Sequence, residues 1–188
     1  MESKLVGLLR AALRKHDRGA TLLVEASKGS FDADNAATLG ILTSSGMEGL
    51  YICVRKPLDD ICTALKKGRF DRSRVVFLEV TDSPSKASKE QCTTIAVPKS
   101  ASELIRAIQS AMGGLRGAKK FIYMDSIDAL CAMMPLPEIM KVTEFLRRVN
   151  QKREAEYVIL AFVEEFPQKR FIRDVAVHAD EYVTASGG

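Results

Sequence analysis

The chain has 188 residues, enough for one domain with a substantial core, and it carries a net charge of +4. Because 24 acidic residues balance 28 basic ones, the composition argues against a dedicated nucleic-acid binder. No apolar run approaches the roughly 18 residues that a transmembrane helix needs, and the charged amino-terminal segment lacks the apolar core of a secretory signal. We therefore expect a globular cytoplasmic protein.

The cysteines and histidines are not spaced as a metal site would require. The four cysteines form no CxxC pair, and the two histidines lie far apart in the sequence. Zinc sites need clustered ligands of these types, so no metal is expected and the cysteines are predicted to be reduced, packed thiols. The residues concerned are Cys53, Cys62, Cys92, Cys131, His16 and His178.

An amphipathic helix is predicted within residues 1–18, the first of three parts of the chain. Leu5 and Leu9 fall on its apolar face, while the basic residues fall mostly elsewhere. We expect this helix to pack across one end of the following domain; the alternatives are a basic helix on a membrane surface or one that docks on a partner. The second part is a single domain over residues 19–185, and the third is a flexible tail over residues 186–188.

The first predicted strand, residues 21–25, is followed by a loop and a helix, the unit in which a phosphate-binding loop would lie. Such a loop needs glycines whose backbone N–H groups point inward, a lysine for the phosphates and a hydroxyl for Mg²⁺. Here Gly29 is the only glycine, Lys28 precedes it, and no Gly-Lys-Ser/Thr sequence exists. Asp32 and Asp34 near the start of the helix occupy the positive pole that an anion would use. The pattern therefore favours a capped turn.

Strands and helices alternate along the rest of the chain. Residues 81–91 between them are polar, which is typical of a surface loop or a disordered segment, and they are the best candidate for an insertion. The predicted strands cover residues 49–54, 74–80, 93–97, 121–126, 157–163 and 181–184, and the predicted helices cover 36–42, 58–67, 101–112, 138–154 and 168–177. This alternation predicts a three-layer α/β fold with a doubly wound, mainly parallel sheet.

A continuous apolar run that ends in Asp125-Ser126 is the most informative stretch of the sequence. Residues 121–124 suit a strand that is buried on both faces, as in a parallel sheet. The carboxyl end of this strand places Asp125 at the edge where open α/β folds bind ligands. In nucleotide-hydrolysing folds an aspartate at this place reaches Mg²⁺, directly or through water; the alternative is that Asp125 caps the turn.

The connection over residues 129–137 is unusually apolar. Met133, Met134 and Leu136 within it are candidates for binding a protein partner, because methionine-rich segments limited by prolines make adaptable contact surfaces. The alternative is that Met133 and Met134 fold back into the core.

The following predicted helix carries a basic face, which makes nucleic-acid binding a second candidate function. A charged helix face is usually only solvated, and aromatic residues make up 6% of the chain with no tryptophan, so stacking platforms for bases are scarce. The basic residues are Arg147, Arg148, Lys152 and Arg153.

The order of these elements over about residues 19–185 resembles the RecA/KaiC/RadA-type ATPase core. The resemblance is closest to the degenerate KaiC-like, RadA-related proteins of archaea that lack a Walker A motif. It rests on the strand–loop–helix unit over residues 21–42, on residues 50–57, and on residues 121–130, which look like a Walker B strand. It implies a P-loop NTPase fold.

Active members of that family carry Gly-Lys-Thr in the first loop and a pair of glutamates after the second strand, one of which activates water. Here the first motif is absent and Arg55-Lys56 stands at the second position, so only Asp125, followed by Ser126, matches. Phosphoryl transfer depends on positioning the phosphates and on activating the attacking water. The motifs that supply these two contributions are both missing here. The resemblance thus implies a pseudoenzyme with no catalytic residues and no required cofactor. Its expected role is a protein-interaction or regulatory module, alongside an active homologue or as a homo-oligomer.

Two alternatives keep a ligand. One is a nucleic-acid-binding accessory protein that uses the basic helix face. The other is a nucleotide sensor with residual ATP and Mg²⁺ binding at Lys28, Arg55, Lys56, Asp125 and Ser126, in which the two cations at the sheet edge hold an anion. The simpler interpretation is that Arg55 and Lys56 are solvated ahead of a helix. Their nearby ion partners would then be Asp59 and Asp60.

Overall fold

A seven-stranded, entirely parallel sheet forms the centre of the protein in the computed structural model, which describes residues 3–65, 70–82, 92–163 and 169–185. The strands are β1 (Ala20–Ala26), β2 (Glu48–Cys53), β3 (Val75–Val80), β4 (Cys92–Ile95), β5 (Lys120–Asp125), β6 (Tyr157–Val163) and β7 (Glu181–Thr184). Their order across the sheet is β4-β3-β2-β5-β6-β1-β7. The predicted doubly wound α/β fold is confirmed.

Helices cover both faces of the sheet and give the fold three layers. They are α1 (Lys4–Lys15), α2 (Phe31–Ser44), α3 (Leu58–Leu65), α4 (Ala101–Gly113), α5 (Ile127–Cys131), α6 (Leu136–Gln151) and α7 (Lys169–Ala176). Apolar residues of α1, α2 and α3 pack on one face, and those of α4 to α7 pack on the other. Because side chains alternate along a strand, β2 sends Tyr51 and Cys53 to the first face and Leu50 and Ile52 to the second.

The first helix belongs to the same core as the sheet. Leu5 and Leu9 are buried in one cluster with Leu39 of α2 and Tyr157 of β6, as expected for a helix packed across one end of the domain. The hydroxyl oxygen of Tyr157 lies 2.9 Å from the backbone carbonyl oxygens of both Leu13 and His16, which share its single proton. The apolar face of α1 is therefore already used inside the protein.

Two local predictions differ from the structure. The second helix begins at Phe31 and not near residue 36, so Asp32 and Asp34 lie inside its first turn. The apolar connection after β5 contains the five-residue helix α5, which is too short to show a helical period in sequence. Residues 83–91 of the polar loop and the tail over residues 186–188 lie outside the described residues.

Within the described residues, no helix is both long and apolar enough to cross a membrane.

Candidate functional site

The carboxyl ends of β2 and β5 meet where the winding of the sheet reverses. The chain leaves β2 toward β3 and β4, whereas it leaves β5 toward β6, so the connections after these two neighbouring strands diverge. Open α/β sheets bind ligands in the crevice that such a divergence creates. Here the crevice holds Arg55 and Lys56 after β2, Asp125 at the end of β5, and Asp32 in the first turn of α2.

Asp125 is held by two protein partners. Its side chain is 1% exposed; its Oδ2 accepts a hydrogen bond of 2.5 Å from the hydroxyl of Tyr51, and its Oδ1 accepts one of 3.2 Å from Nε of Arg55. Burial raises the pKa of Asp125, and this effect outweighs the hydrogen bond from Tyr51 and the positive charge of Arg55. The two oxygens that a Walker B aspartate would turn toward Mg²⁺ or its water both have protein partners here.

Asp32 stands where α2 presents its positive end, and both cations contact it. Arg55 forms an ion pair with Oδ1 of Asp32, while Nζ of Lys56 lies 2.7 Å from Oδ2. Burial acts to raise the pKa of Asp32, but the hydrogen bonds and charges of Lys56 and Arg55 outweigh it, so the pKa is lowered. The guanidinium of Arg55 also lies 4.3 Å from the centre of the Phe31 ring, a cation–π contact.

These contacts correct the interpretation of Arg55 and Lys56 as solvated residues. Arg55 is one fifth exposed, and the two cations bind Asp32 and Asp125, whereas sequence proximity had suggested Asp59 and Asp60. The partner in α2 comes from 23 or 24 residues earlier in the chain, and the partner in β5 from 70 residues later. Such separations are set by the fold, so local spacing could not reveal them.

A buried pair of tyrosines continues the contacts inward. Tyr51 and Tyr123 are opposite each other in the register of β2 and β5, and their rings stack with centroids 5.2 Å apart. The hydroxyl of Tyr123 donates to Oδ1 of Asn35 at 2.5 Å, and Nδ2 of Asn35 donates to the hydroxyl of Tyr51 at 3.2 Å. Burial, followed by the charge of Asp125, raises the pKa of both tyrosines well above the usual value. Both hydroxyls therefore remain protonated donors.

We call this connected set the carboxyl-edge network. It runs from the buried interior of the sheet to the surface, and each of its members has a hydrogen-bond partner within the set. Its members are Tyr123, Asn35, Tyr51, Asp125, Arg55, Asp32 and Lys56.

The loop between β1 and α2 is short. It covers only residues 27–30, whereas a Walker A motif spans about eight residues that wrap around the phosphates. Asp34 in the following turn accepts hydrogen bonds from Ser30 at 2.7 Å and from Ser3 at 2.5 Å, so it ties the loop to the start of α1. Lys28 is exposed on this loop and does not take part in the carboxyl-edge network.

The remaining predicted site residues near this edge are distributed differently. Ser126 is fully buried at the start of α5, and its hydroxyl has no hydrogen-bond partner among the described residues. Met134 is 4% exposed and belongs to the core, and Met133 is partly buried against it. Leu136, at the first position of α6, is 41% exposed, so of the three residues in the apolar connection it alone presents a large exposed side chain.

The basic residues of α6 lie away from the carboxyl-edge network. Arg147, Arg148, Lys152 and Arg153 are exposed at the carboxyl end of that helix, next to the amino ends of β5 and β6. Arg148 pairs with Glu144 one turn earlier on the same helix. The structure therefore places these residues at the opposite edge of the sheet from Asp125.

Comparisons with known proteins identify the fold. No protein-family model matches the chain, and no curated protein matches it. The KaiC-like protein PH0186 from Pyrococcus horikoshii OT3 is 14% identical, with a TM-score of 0.55 over 84% of this chain and 68% of that one. The uncharacterized protein PH0321 from Pyrococcus horikoshii, solved with an unknown peptide, is 14% identical, with a TM-score of 0.65 over 93% and 82% of the two chains.

A third solved structure, PH0250 from Pyrococcus horikoshii OT3, is also 14% identical and has a TM-score of 0.64 over 94% of this chain and 88% of that one. At these identities the likeness concerns the fold alone. Together with the seven-stranded parallel sheet, it assigns a KaiC/RecA-like fold to this chain.

Proposed function

We propose that this KaiC/RecA-like domain is a non-catalytic protein-interaction or regulatory module that acts alongside an active homologue. The observation that carries the proposal is the carboxyl-edge network. At the edge where ATPases of this architecture hold nucleotide, the cations Arg55 and Lys56 are already paired with carboxylates of the same chain.

Electrostatics argues against a nucleotide at this edge. A phosphate that approached Arg55 and Lys56 would have to displace Asp32, which is the anion already placed at the amino end of α2. If Asp32 stayed in place, its negative charge would repel the phosphate. Releasing it would break two ion pairs and leave Arg55 with Asp125 as its carboxylate partner among the described residues. The protein therefore supplies its own anion where a substrate phosphate would bind.

The Arg55-Lys56 pair after β2 also supplies no base. The position after β2, where active relatives are expected to carry glutamates, holds Arg55 and Lys56, and these cations cannot accept a proton from water at neutral pH. The four-residue loop after β1 offers a single glycine for a phosphate cradle. Positioning and electrostatic stabilisation make up nearly all of phosphoryl-transfer catalysis, so these two changes favour a protein without hydrolytic activity.

Support for a binding role comes from the exposed start of α6. Leu136 has 41% of its surface exposed beside the partly buried Met133, which is an apolar contact point close to the carboxyl edge of the sheet. The protein PH0321, which shares the fold, was solved in complex with an unknown peptide. We infer that a protein segment, and not a nucleotide, is the ligand of this end of the domain.

The first experiment tests nucleotide binding directly. Purified protein is titrated with ATP and Mg²⁺ by calorimetry and thermal shift, and phosphate release is assayed in parallel. The expected result is no binding heat, no shift and no release. The Asp32→Asn variant serves as the comparison, because it removes the carboxylate that pairs with Lys56 and competes with a phosphate for Arg55, although Arg55 keeps its contact with Asp125. Micromolar binding or turnover by the unaltered protein would overturn the proposal.

The second experiment tests the contact surface. Proteins captured from an extract of the native cell by the full chain are identified, and binding is then repeated with the purified candidate. Leu136→Glu should weaken that binding at least tenfold. Leu8→Glu changes a side chain of similar exposure, 39%, on the separate helix α1 and should leave the affinity unchanged. A candidate that binds both variants equally well would argue against the start of α6 as the interface.

A further inference from the structure

We propose that a cavity at the amino-terminal edge of the sheet binds a small amphipathic anion, which is a carboxylate, sulfonate or phosphate attached to an apolar group. The cavity has a volume of about 440 Å³ and lies between the carboxyl ends of α4 and α6, beside the first residue of β5. This volume falls within the usual range for small-molecule sites. The cavity is on the opposite edge of the sheet from the carboxyl-edge network.

The lining combines an apolar wall with cations. Met112 and Phe145 supply the apolar surface, while Lys120 and Arg153 supply two positive charges. Within the described residues, neither Lys120 nor Arg153 makes a side-chain hydrogen bond or an ion pair. Glu154 adds one carboxylate to the lining, and the charge of Lys120 also acts on Glu48, whose carboxylate accepts hydrogen bonds from the N–H groups of Arg116 and Gly117. Among the described lining residues, Arg153 is therefore the cation left for a ligand. A ligand with an anionic group and an apolar body would satisfy both kinds of surface.

The backbone at Arg153 gives an independent reason to look for a role of its side chain. The residue follows the C-cap Lys152 of α6 and has a φ of 58°, in the left-handed region. Its N–H donates to the carbonyl oxygen of Asn150 at 2.8 Å, and the N–H of Glu154 donates to that of Val149 at 3.0 Å. This pair of bonds is the Schellman motif, whose left-handed position is usually glycine because a Cβ is strained there.

Helix electrostatics does not account for an arginine at that position. A cation near the end of a helix interacts favourably with the helix dipole, but Lys152 already supplies one at the C-cap. Glycine at position 153 would keep that charge and remove the strain. The side chain of Arg153 lies on the wall of the cavity, where binding an anion would offset the cost of the strained backbone. Strained residues of this kind are concentrated at ligand sites.

The probe for this site is anilinonaphthalene sulfonate, an apolar aromatic body with one anionic group, and its neutral analogue phenylnaphthylamine lacks that group. The full chain is titrated with each compound by fluorescence, and amide NMR spectra locate the binding. One equivalent of the sulfonate should bind, with the largest amide shifts at Gly113, Ala118 and Lys120. Tighter binding of the neutral analogue, or shifts clustered elsewhere, would overturn the proposal.

The decisive variant is Arg153→Gly, because it removes the cation and relieves the backbone strain together. We expect the affinity for the sulfonate to fall about tenfold, the effect of one lost charged contact, while Tm rises by roughly 2–4 °C. A loss of binding in a more stable protein cannot be due to unfolding. Arg153→Lys should retain most of the affinity, and Arg147→Gln, an exposed change on the same helix outside the cavity lining, should leave it unchanged.

A second variant tests the volume of the cavity. Gly113 lines the cavity and a Cβ there would meet no atom within 4 Å, so Gly113→Leu adds an apolar side chain to the lining. It should weaken binding of the sulfonate and of the neutral analogue alike, whereas Arg153→Gly should affect the sulfonate alone. Unchanged affinity in both variants would show that the probe binds elsewhere and would end the proposal.

Discussion

The two edges of the same parallel sheet are built on opposite plans. At the carboxyl edge, Arg55 lies between Asp32 and Asp125, and every member of the network has a partner within it. At the amino edge, Lys120 and Arg153 face a cavity of about 440 Å³; the charge of Lys120 acts on Glu48, and Arg153 has no ion-pair partner among the described residues. Arg55 and Lys56, at the edge that binds ligands in this architecture, are thus paired within the chain, whereas Arg153 at the opposite edge is not paired with any described residue.

The paired charges at the carboxyl edge connect three elements of the fold. Asp32 of α2 and Tyr51 of β2 are linked to Asp125 at the end of β5, either directly or through Arg55, so these contacts hold β2, β5 and α2 together. Buried polar groups that are fully paired stabilise a unique arrangement, whereas removing one partner is expensive. Substitutions at the carboxyl edge should therefore change the stability of the protein, whereas substitutions at the amino edge should change its affinity for a ligand.

The largest effect is expected from Asp125→Ala. This change leaves the guanidinium of Arg55 and the hydroxyl of Tyr51 without their buried acceptor, and breaking such a pair from one side costs about 3 kcal/mol of unfolding free energy. Urea denaturation measures the loss. Asp17→Ala, an exposed change in the turn after α1, should stay within about 0.5 kcal/mol of the unaltered protein. Equal effects of the two changes would mean that the network does not stabilise the sheet.

A finer comparison is available within the stacked tyrosine pair. Tyr51→Phe removes a donor to the Asp125 carboxylate and should cost about 2 kcal/mol, because hydrogen bonds to charged groups are the stronger ones. Tyr123→Phe removes a donor to the neutral amide of Asn35 and should cost about 1 kcal/mol. The two rings are equally buried and stacked on each other, so packing is matched. Denaturation at pH 8 gives both values, and the opposite order would contradict the charge on Asp125.

The pH dependence should separate the two carboxylates of the network. The pKa of Asp125 is raised in the folded protein, so its contribution to stability falls as pH increases from the unfolded value of about 3.9 to the folded one. The pKa of Asp32 is lowered, so its contribution is present above about pH 3.9 and is lost as pH falls through the folded value. Urea denaturation on both sides of about pH 3.9 should show a decline in stability above this pH and a loss of stability below it.

Single variants show which carboxylate causes each part of the pH dependence of stability. Asp125→Asn should abolish the decline on the alkaline side and leave the acid loss in place, whereas Asp32→Asn should reduce the acid loss alone. Glu48 and Glu181 also have lowered pKa values, the first because the backbone N–H groups of Gly117 and Arg116 bind it, so part of the acid loss should persist. A profile that neither variant changes would show that the network does not titrate.

Much of this fold follows from local sequence. The buried strands are read from continuous apolar runs because a parallel sheet is covered on both faces, and the end of β5 at Asp125 then follows from the change to polar residues. The start of α2 at Phe31 cannot be predicted from local sequence. The segment Ser30-Phe31-Asp32 has the composition of a polar turn, and the hydroxyl of the N-cap Ser30 makes no hydrogen bond to the first turn of the helix. Helix α5 is likewise hidden, since five residues are too few to show a period.

The site is less accessible to such reasoning than the fold. Asp125 and Arg55 can both be assigned to the carboxyl edge because strand ends meet there, but the pairing of Asp32 with Arg55 depends on how α2 enters the sheet. The stacking of Tyr51 on Tyr123 depends on the register between β2 and β5. A shift of this register by one residue would place the two rings on opposite faces of the sheet. The left-handed conformation of Arg153 carries no sequence signal at all, since the residue expected there is glycine.

The smallest effect, and the one that most directly tests the contrast between the edges, concerns the two basic residues that directly follow α6. Arg153 has a φ of 58°, whereas Lys152 has a φ of −80° in the right-handed region. Arg153→Gly should therefore stabilise the protein by about 1 kcal/mol, because glycine removes the strain of a Cβ in the left-handed conformation. Lys152→Gly should destabilise it by about 0.5–1 kcal/mol, because glycine there only adds freedom to the unfolded chain. Both variants remove one positive charge, so a general charge effect would give them the same sign. If the two variants change the free energy of unfolding in opposite directions, Arg153 at the amino edge lowers the stability of the protein. At the carboxyl edge, in contrast, the paired charged residues raise it.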